Sequence, residues 1–99
     1  MSAWFYILRL TSTGLYCGST RNREQRYKDH FAGRGCRTTH LDLPTKIEYE
    51  EEYHTYKEAF KREQQIKRWS RAKKEALINN DFNTLKNLAR RRCGNKRIN

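Results

Sequence analysis

Apolar side chains follow two rhythms along this chain. Residues Ala3 to Leu10 (AWFYILRL) form a run of aromatic and branched side chains in which Arg9 is the one charge, and Leu15 to Ser19 (LYCGS) continues it. Both predict strands. Between them Ser12-Thr13-Gly14 fits a three-residue hairpin loop whose last position needs φ > 0, which glycine adopts without a Cβ clash. With Thr11 opposite Leu15, Leu10 faces Tyr16, Leu8 faces Gly18 and Tyr6 faces Thr20. Tyr6 and Tyr16 then project from one face of the hairpin, whereas a four-residue loop would put them on opposite faces. The missing side chain at Gly18 lets a backbone or ligand approach closely.

The rhythm then lengthens to three and four. Asn22 with Gln25 resembles a capping box, and a helix over Arg23 to Ala32 runs to the Gly33-Arg34-Gly35 break. Arg26 and His30 are four apart on it and share a face, while Tyr27 and Phe31 form a second such pair on the apolar side. Gly33 to Pro44 has no periodicity and reads as a long surface loop. From Thr45 to Tyr53, Ile47, Tyr49, Glu51 and Tyr53 alternate with Lys46, Glu48, Glu50 and Glu52, which predicts a strand with one polar face. Its acids are expected to be solvated and paired with nearby Lys and Arg. Thr55 with Glu58 opens a helix through about Arg68, with Ala59, Phe60, Glu63, Ile66 and Trp69 as its stripe. A carboxylate on that stripe is costly unless it is paired or holds a cation, which singles out Glu63. Ser70 caps a helix over Arg71 to Asn79 with Ala72, Ala76 and Leu77 or Ile78 inward. Asp81 opens a last one through Arg92, using Phe82, Leu85 and Leu88, before a tail from Gly94 to Asn99.

Composition narrows the function classes. A chain of 99 residues removes roughly two-thirds of its unfolded surface from water on folding, enough for one core and too little for a large substrate cavity. Its net charge of +11, from 22 Lys and Arg against 11 Asp and Glu, attracts polyanions, nucleic acid first and an anionic membrane surface second. No apolar run approaches the ~20 residues of a membrane span, and the N-terminus carries no signal-like core, so the expected location is cytoplasmic, with association to the nucleoid. Cys17, Cys36 and Cys93 are odd in number and widely spaced, so neither a disulfide framework nor a zinc site is expected. Cys36, between Arg34 and Arg37, is read as a structural or incidental thiol with no nucleophile's partner set beside it.

What remains is a set of groups suited to phosphate chemistry: Tyr6, Tyr16, Gly18, Arg26, His30 and Glu63. Taken singly, each has an ordinary explanation, as sheet packing, a solvated helix face or an ion pair. Together and in this order they resemble the GIY-YIG nuclease family, specifically its small stand-alone bacterial members of the URI type. The two motif triplets correspond to Trp4-Phe5-Tyr6 and Tyr16-Cys17-Gly18, followed by the helix arginine Arg26, by His30 one turn later, and by Glu63 within Arg62-Glu63-Gln64-Gln65-Ile66-Lys67. Trp4, Phe5 and Cys17 depart from the family's pattern at scaffold positions. The resemblance implies an α+β fold with a three-stranded antiparallel sheet, order 2-1-3, flanked by helices. A nuclease-like domain would occupy residues 1–80, with residues 81–99 a basic helix and tail appended to it. It also implies a metal-dependent endonuclease that hydrolyses phosphodiesters in DNA, in repair, recombination or DNA processing. Tyr6 would be the general base with His30 taking its proton, Arg26 the phosphate clamp, Tyr16 a positioning group, and Glu63 the ligand of one Mg²⁺ or Mn²⁺, weakly held without substrate.

Arg21, Arg23, Lys28, Arg34 and Arg37 surround this set and are candidate nucleic-acid contacts; Lys67, Arg68, Arg71, Lys73 and Lys74 form a second band, and Arg90 to Arg92 with Lys96 and Arg97 a basic arm. DNA is the expected partner, with RNA the alternative polymer, no membrane, and a separate protein that supplies targeting. The rival reading is a catalytically degenerate DNA- or RNA-binding module of the same fold. A third, an accessory protein on a ribosome or membrane surface, rests on charge alone. The deciding observation is geometric: whether Tyr6, Tyr16, Arg26, His30 and Glu63 converge.

Overall fold

Strand β1 (Ala3–Leu10) is flanked on both edges, by β2 (Leu15–Thr20) and β3 (Pro44–Tyr53), in an antiparallel sheet of order β2-β1-β3. The structure, a computed structural model, describes residues 2–81 and Asn83. Expectations for Phe82, for the helix running to Arg92, for the Arg90–Arg92 arm, for Cys93 and for the tail lie outside the described residues. The chain divides into two compact units, one through Arg68 and one beginning at Trp69. The first adds helices α1 (Arg23–Phe31), α2 (Arg37–Leu41) and α3 (Tyr56–Lys67) to the sheet, and the second contains α4 (Arg71–Ile78).

Being central, β1 pairs along its whole length, and Phe5, Tyr6, Ile7 and Leu8 are fully buried. Alternation then decides what each face carries. Tyr6 meets Tyr27 and His30 of α1 on one face, while α3 covers the other through Ala59, Ile66 and the Glu63–Ser19 and Arg62–Glu51 contacts.

The hairpin corrects the expected register. Arg9 pairs with Leu15, and Leu10 N–H donates to the Gly14 carbonyl at 2.9 Å, so the loop is Thr11-Ser12-Thr13. Thr13, not Gly14, takes the left-handed position, at φ 73°. Tertiary anchors outweigh glycine's preference. Thr11 Oγ1 donates to the Leu43 carbonyl at 2.7 Å, Ser12 N–H to Asp42 at 3.0 Å, and the Arg9 guanidinium to the Thr13 carbonyl at 3.2 Å. The register therefore moves by two residues, setting Tyr6 opposite Gly18 and Leu8 opposite Tyr16. A shift of two preserves side-chain parity, so both phenols still share a face.

Three further expectations change. Residues 37–41 form a short helix inside the expected loop, anchored by the fully buried Thr39, a polar residue with no periodic signal. A β-bulge between Ile7 and Leu8 brings Ile47 opposite Leu8, which breaks the alternation of β3 and leaves Ile47 exposed. Phe31, Phe60 and Ala72 are exposed, not inward. Phe60 lies one residue, ~100°, round the helix from Ala59 and so at the stripe's edge. The caps form as expected: Asn22 accepts from Gln25 N–H at 3.1 Å, Thr55 from Glu58 N–H at 3.2 Å and Ser70 from Lys73 N–H at 3.3 Å.

The acids of β3 are paired, though not on one solvated face. Glu50 binds Arg23 at 2.9 Å and the Tyr27 hydroxyl at 2.6 Å, tying α1 to the sheet. On the other face Glu51 receives Arg62 at 2.9 and 3.1 Å and the hydroxyls of Tyr49 and Tyr53 at 2.6 Å, tying down α3. Burial opposes the charge of Glu51, yet these bonds and the Arg62 cation hold its carboxyl below the usual range.

Candidate active site

Tyr6 lies across β2 because position 18 has no side chain. A Cβ there would stand 2.4 Å from Tyr6 Oη and 2.6 Å from Cζ. The phenol reaches His30 Nε2 at 2.9 Å, and the imidazole, also fully buried, packs against a second glycine: a Cβ at Gly35 would meet His30 Nδ1 at 2.3 Å. Thr39 Oγ1 stands 2.8 Å from His30 Nδ1 and donates its proton to the Cys36 carbonyl at 3.4 Å. Where His30 carries its proton on Nδ1, the threonine oxygen accepts it. Nε2 is then the bare nitrogen and accepts from Tyr6.

Arg26, one turn before His30, lies beside the Tyr6 hydroxyl and donates to the Gly35 carbonyl at 3.4 Å. The Tyr16 ring centroid is 5.1 Å from that of His30. Burial pushes the Tyr6 phenol up to about 12; the Arg26 cation opposes this and the Glu63 carboxylate adds to it. Burial, then the Arg26 cation, pushes His30 down to about 4. Tyr16 is also raised, by burial and by the neighbouring Cys36 thiol. Near neutrality the pair is thus an uncharged phenol hydrogen-bonded to an uncharged imidazole.

Glu63 approaches from the other side. Its Oε1 accepts from Ser19 Oγ at 2.5 Å and its Oε2 holds Lys67 Nζ at 2.8 Å. Ser19 follows Gly18 and so points to the opposite face of edge strand β2. Tyr6, Tyr16, Arg26 and His30 therefore converge on the α1 face, and Glu63 reaches the same stretch of β2 from the α3 face, close enough to act on the Tyr6 phenol.

A family model described as the GIY-YIG catalytic domain matches residues 2–76. The chain belongs to the GIY-YIG family. It is similar to a UPF0213 protein of Bacillus licheniformis, 40% identical over 77 residues that cover 78% of this chain and 79% of the relative. A UPF0213 protein of Natronomonas pharaonis is 37% identical over 75 residues, 76% of this chain and 88% of the relative. Among solved structures, the solution NMR structure of the UPF0213 protein BH0048 from Bacillus halodurans is similar at TM-score 0.53 and 30% identity, covering 80% of this chain and 84% of that one.

In GIY-YIG terms, the second triplet's glycine gives the first triplet's tyrosine its room. For a divalent ion the donors are modest: among the described residues no three His, Cys, Asp or Glu side chains converge. Glu63 is 11% exposed, but Lys67, 47% exposed, already sets a cation on Oε2. Oε1, whose partner is the uncharged Ser19 hydroxyl, is the oxygen that would take a cation, and a single such contact fits an ion that keeps most of its waters.

The basic set is unevenly free. Arg23 is engaged by Glu50 and by the Trp4 ring, 3.7 Å from its centroid, and Arg34 meets Asp29 at 3.6 Å. Lys28 and Arg37 are exposed, and Arg21 stands over Tyr56. Sequence reasoning missed Gly35, Thr39 and Cys36. Cys17 and Cys36 are free thiols. Of the two readings open for Cys36, structural or incidental, the structure favours the first: its thiol lies against Tyr16 and Thr39. Burial raises its pKa, yet the bonds from Thr39 and Tyr16 hold it below the usual thiol value. The double glycine of Gly33-Arg34-Gly35 was the available signal, since a glycine also marks close approach.

Proposed function

We propose that this GIY-YIG protein is a divalent-metal-dependent endonuclease that hydrolyses phosphodiester bonds in DNA, in repair, recombination or DNA processing. The observation that carries this reading is the hydrogen-bonded chain from Tyr6 through His30 to Thr39 beside the Arg26 guanidinium. Phosphodiester hydrolysis needs an acceptor for a water proton and positive charge on the phosphoryl oxygens. Arg26 clamps the phosphate, and Tyr16 positions water or phosphate. Tyr6 takes the water's proton while passing its own to the bare Nε2 of His30, so no lasting tyrosinate forms beside a pKa of about 12. With its proton on Nδ1 toward Thr39, His30 presents a bare Nε2 to Tyr6. A Mg²⁺ or Mn²⁺ on Glu63 would supply further charge against the phosphoryl and leaving oxygens.

The protein would act in the cytoplasm, at the nucleoid, with targeting borrowed from a partner protein. Among the described residues no helix is long and apolar enough to cross a membrane. A binding-only module for DNA or RNA is the second reading, favoured by the Lys67 cation that already neutralises Glu63. Labelled single- and double-stranded DNA, incubated with Mg²⁺ or Mn²⁺ and wild type, Glu63→Ala or Arg26→Ala, separates them. Cleavage by the wild type that both substitutions abolish supports the nuclease. Cleavage persisting in both, or binding without cleavage in either metal, refutes it.

A further inference from the structure

Helix α3 exposes aromatic surface on the turns that lead to Glu63. Tyr56 and Phe60 are four residues apart, their rings stacked at 6.0 Å between centroids and 25° between planes, and Phe60 leaves 43% of its surface to water. The Arg21 guanidinium stands 5.1 Å from the Tyr56 centroid. Beside Tyr56 lies a hollow of about 320 Å³, lined also by Ser2, Arg21, His54 and Thr55. That is the low end of the ~300–1,000 Å³ typical of ligand sites, suited to one flat ring system.

An aromatic pair four apart steadies a helix only slightly, and packing would hide it better than water does. We propose that Tyr56, Phe60 and Arg21 form a stacking subsite for an unpaired base of single-stranded DNA. Aromatic faces accept any base, and a guanidinium beside them adds a phosphate or stacking partner, the pairing that sequence-independent single-strand binders use. The position agrees with this. Phe60 precedes Glu63 by three residues, ~4.5 Å along the helix, comparable to the ~3.4 Å that separates stacked nucleotides on one strand. Arg21 follows by two the Ser19 that holds Glu63. A base of a strand passing the Glu63 edge of β2 would thus meet the aromatic pair, on a chain whose charge of +11 draws in the backbone. The subsite rests on the proposed action on DNA, but not on cleavage.

Fluorescence anisotropy tests it, with the full chain and no divalent metal added, so that no strand is cut. The probes are a labelled single strand, the same strand carrying abasic residues, and a duplex. The double variant Tyr56→Leu/Phe60→Leu should bind the intact single strand ~10-fold more weakly, the loss of ~1.4 kcal/mol of stacking. The abasic strand and duplex should change less than ~2-fold, and the salt slope should stay as in wild type. Arg21→Gln should lower that slope by about 1. Equal weakening on intact and abasic strands, or wild-type affinity of the leucine variant for the intact strand, overturns the subsite. Either result stands apart from a failure to cleave, because cleavage is not read.

Discussion

Replacing Gly18 by alanine tests the packing on which the site depends. In a strand without steric conflict this change should stabilise by about 0.5–1 kcal/mol, since glycine loses more backbone freedom on folding. Here the new methyl would lie 2.4 Å from Tyr6 Oη and 2.6 Å from Cζ, against ordinary contact at 3.4–4 Å, so the ring must move about 1 Å. It has nowhere to go: Tyr6 is fully buried, on the central strand, with the Tyr27 ring edge-on at 5.2 Å. Overpacking costs ~1–3 kcal/mol, and separating Tyr6 from His30 leaves a buried nitrogen unpaired for a similar amount. A loss of about 3 kcal/mol should lower Tm by at least roughly 10 °C and shift the urea midpoint at constant m. The control is Tyr6→Leu, which removes the atoms that the methyl would strike. In that background Gly18→Ala should be neutral or stabilising, a coupling of ~3–4 kcal/mol. Equal destabilisation with and without the Tyr6 ring would show that position 18 requires glycine for its backbone alone.

Stability should also depend on pH through His30. Its folded pKa of about 4 lies below the ordinary 6.5, so the unfolded chain takes up the proton first. The contribution is fully present above pH ~6.5 and falls away toward pH 4, by roughly 3 kcal/mol, in urea midpoints measured across that range. In His30→Gln the dependence should flatten; an unchanged profile refutes the assignment. At the hairpin, Thr13→Gly should raise stability by about 1 kcal/mol by relieving its left-handed backbone. Gly14→Ala should stay within ~0.5 kcal/mol, since its Cβ would meet Ser12 Oγ at 3.4 Å; thermal melts reversing that order would restore the loop expected from sequence. Lys67→Met should tighten Mn²⁺ binding in the absence of DNA about 5-fold, the worth of a half-exposed ion pair, whereas Glu63→Gln should abolish it. Titration followed by electron paramagnetic resonance reads both, and unchanged affinity in Lys67→Met would detach that lysine from the ion's site.

Some of this arrangement was readable in the chain because it depends on parity and period. Tyr6 and Tyr16 share a face under either hairpin register, and four-residue spacing on α1 brings Arg26 and His30 together whatever covers them. Glu63 announced itself by being charged on an apolar stripe. The rest depends on contacts that leave no periodic trace. The loop tip is fixed by Asp42 and Leu43, thirty residues away, so its own glycine misleads about where the turn falls. Thr39 is buried by its contact with His30 Nδ1, not because it belongs to an apolar face. Gly35 reads as a helix stop, yet the methyl it lacks is what the imidazole occupies. At Ile47 the bulge cancels the alternation that identified the strand.

The two shifted groups also constrain how such a site can be switched on. In the resting protein, moving a proton from a phenol near 12 to an imidazole near 4 runs steeply uphill, so the pair stays neutral. Arg26 acts on both members: its cation favours the tyrosinate and disfavours the imidazolium. A phosphate that pairs with Arg26 weakens both effects. His30 becomes more basic while the free tyrosinate becomes harder to form, which favours a relay through Tyr6 over prior ionisation of it. Glu63 raises the phenol from the far side of β2, and a cation bound there would reverse that contribution. A phosphate on Arg26 and a cation on Glu63 would thus bias the same hydrogen bond from opposite faces of one edge strand. The glycine between them keeps Tyr6 within reach of both.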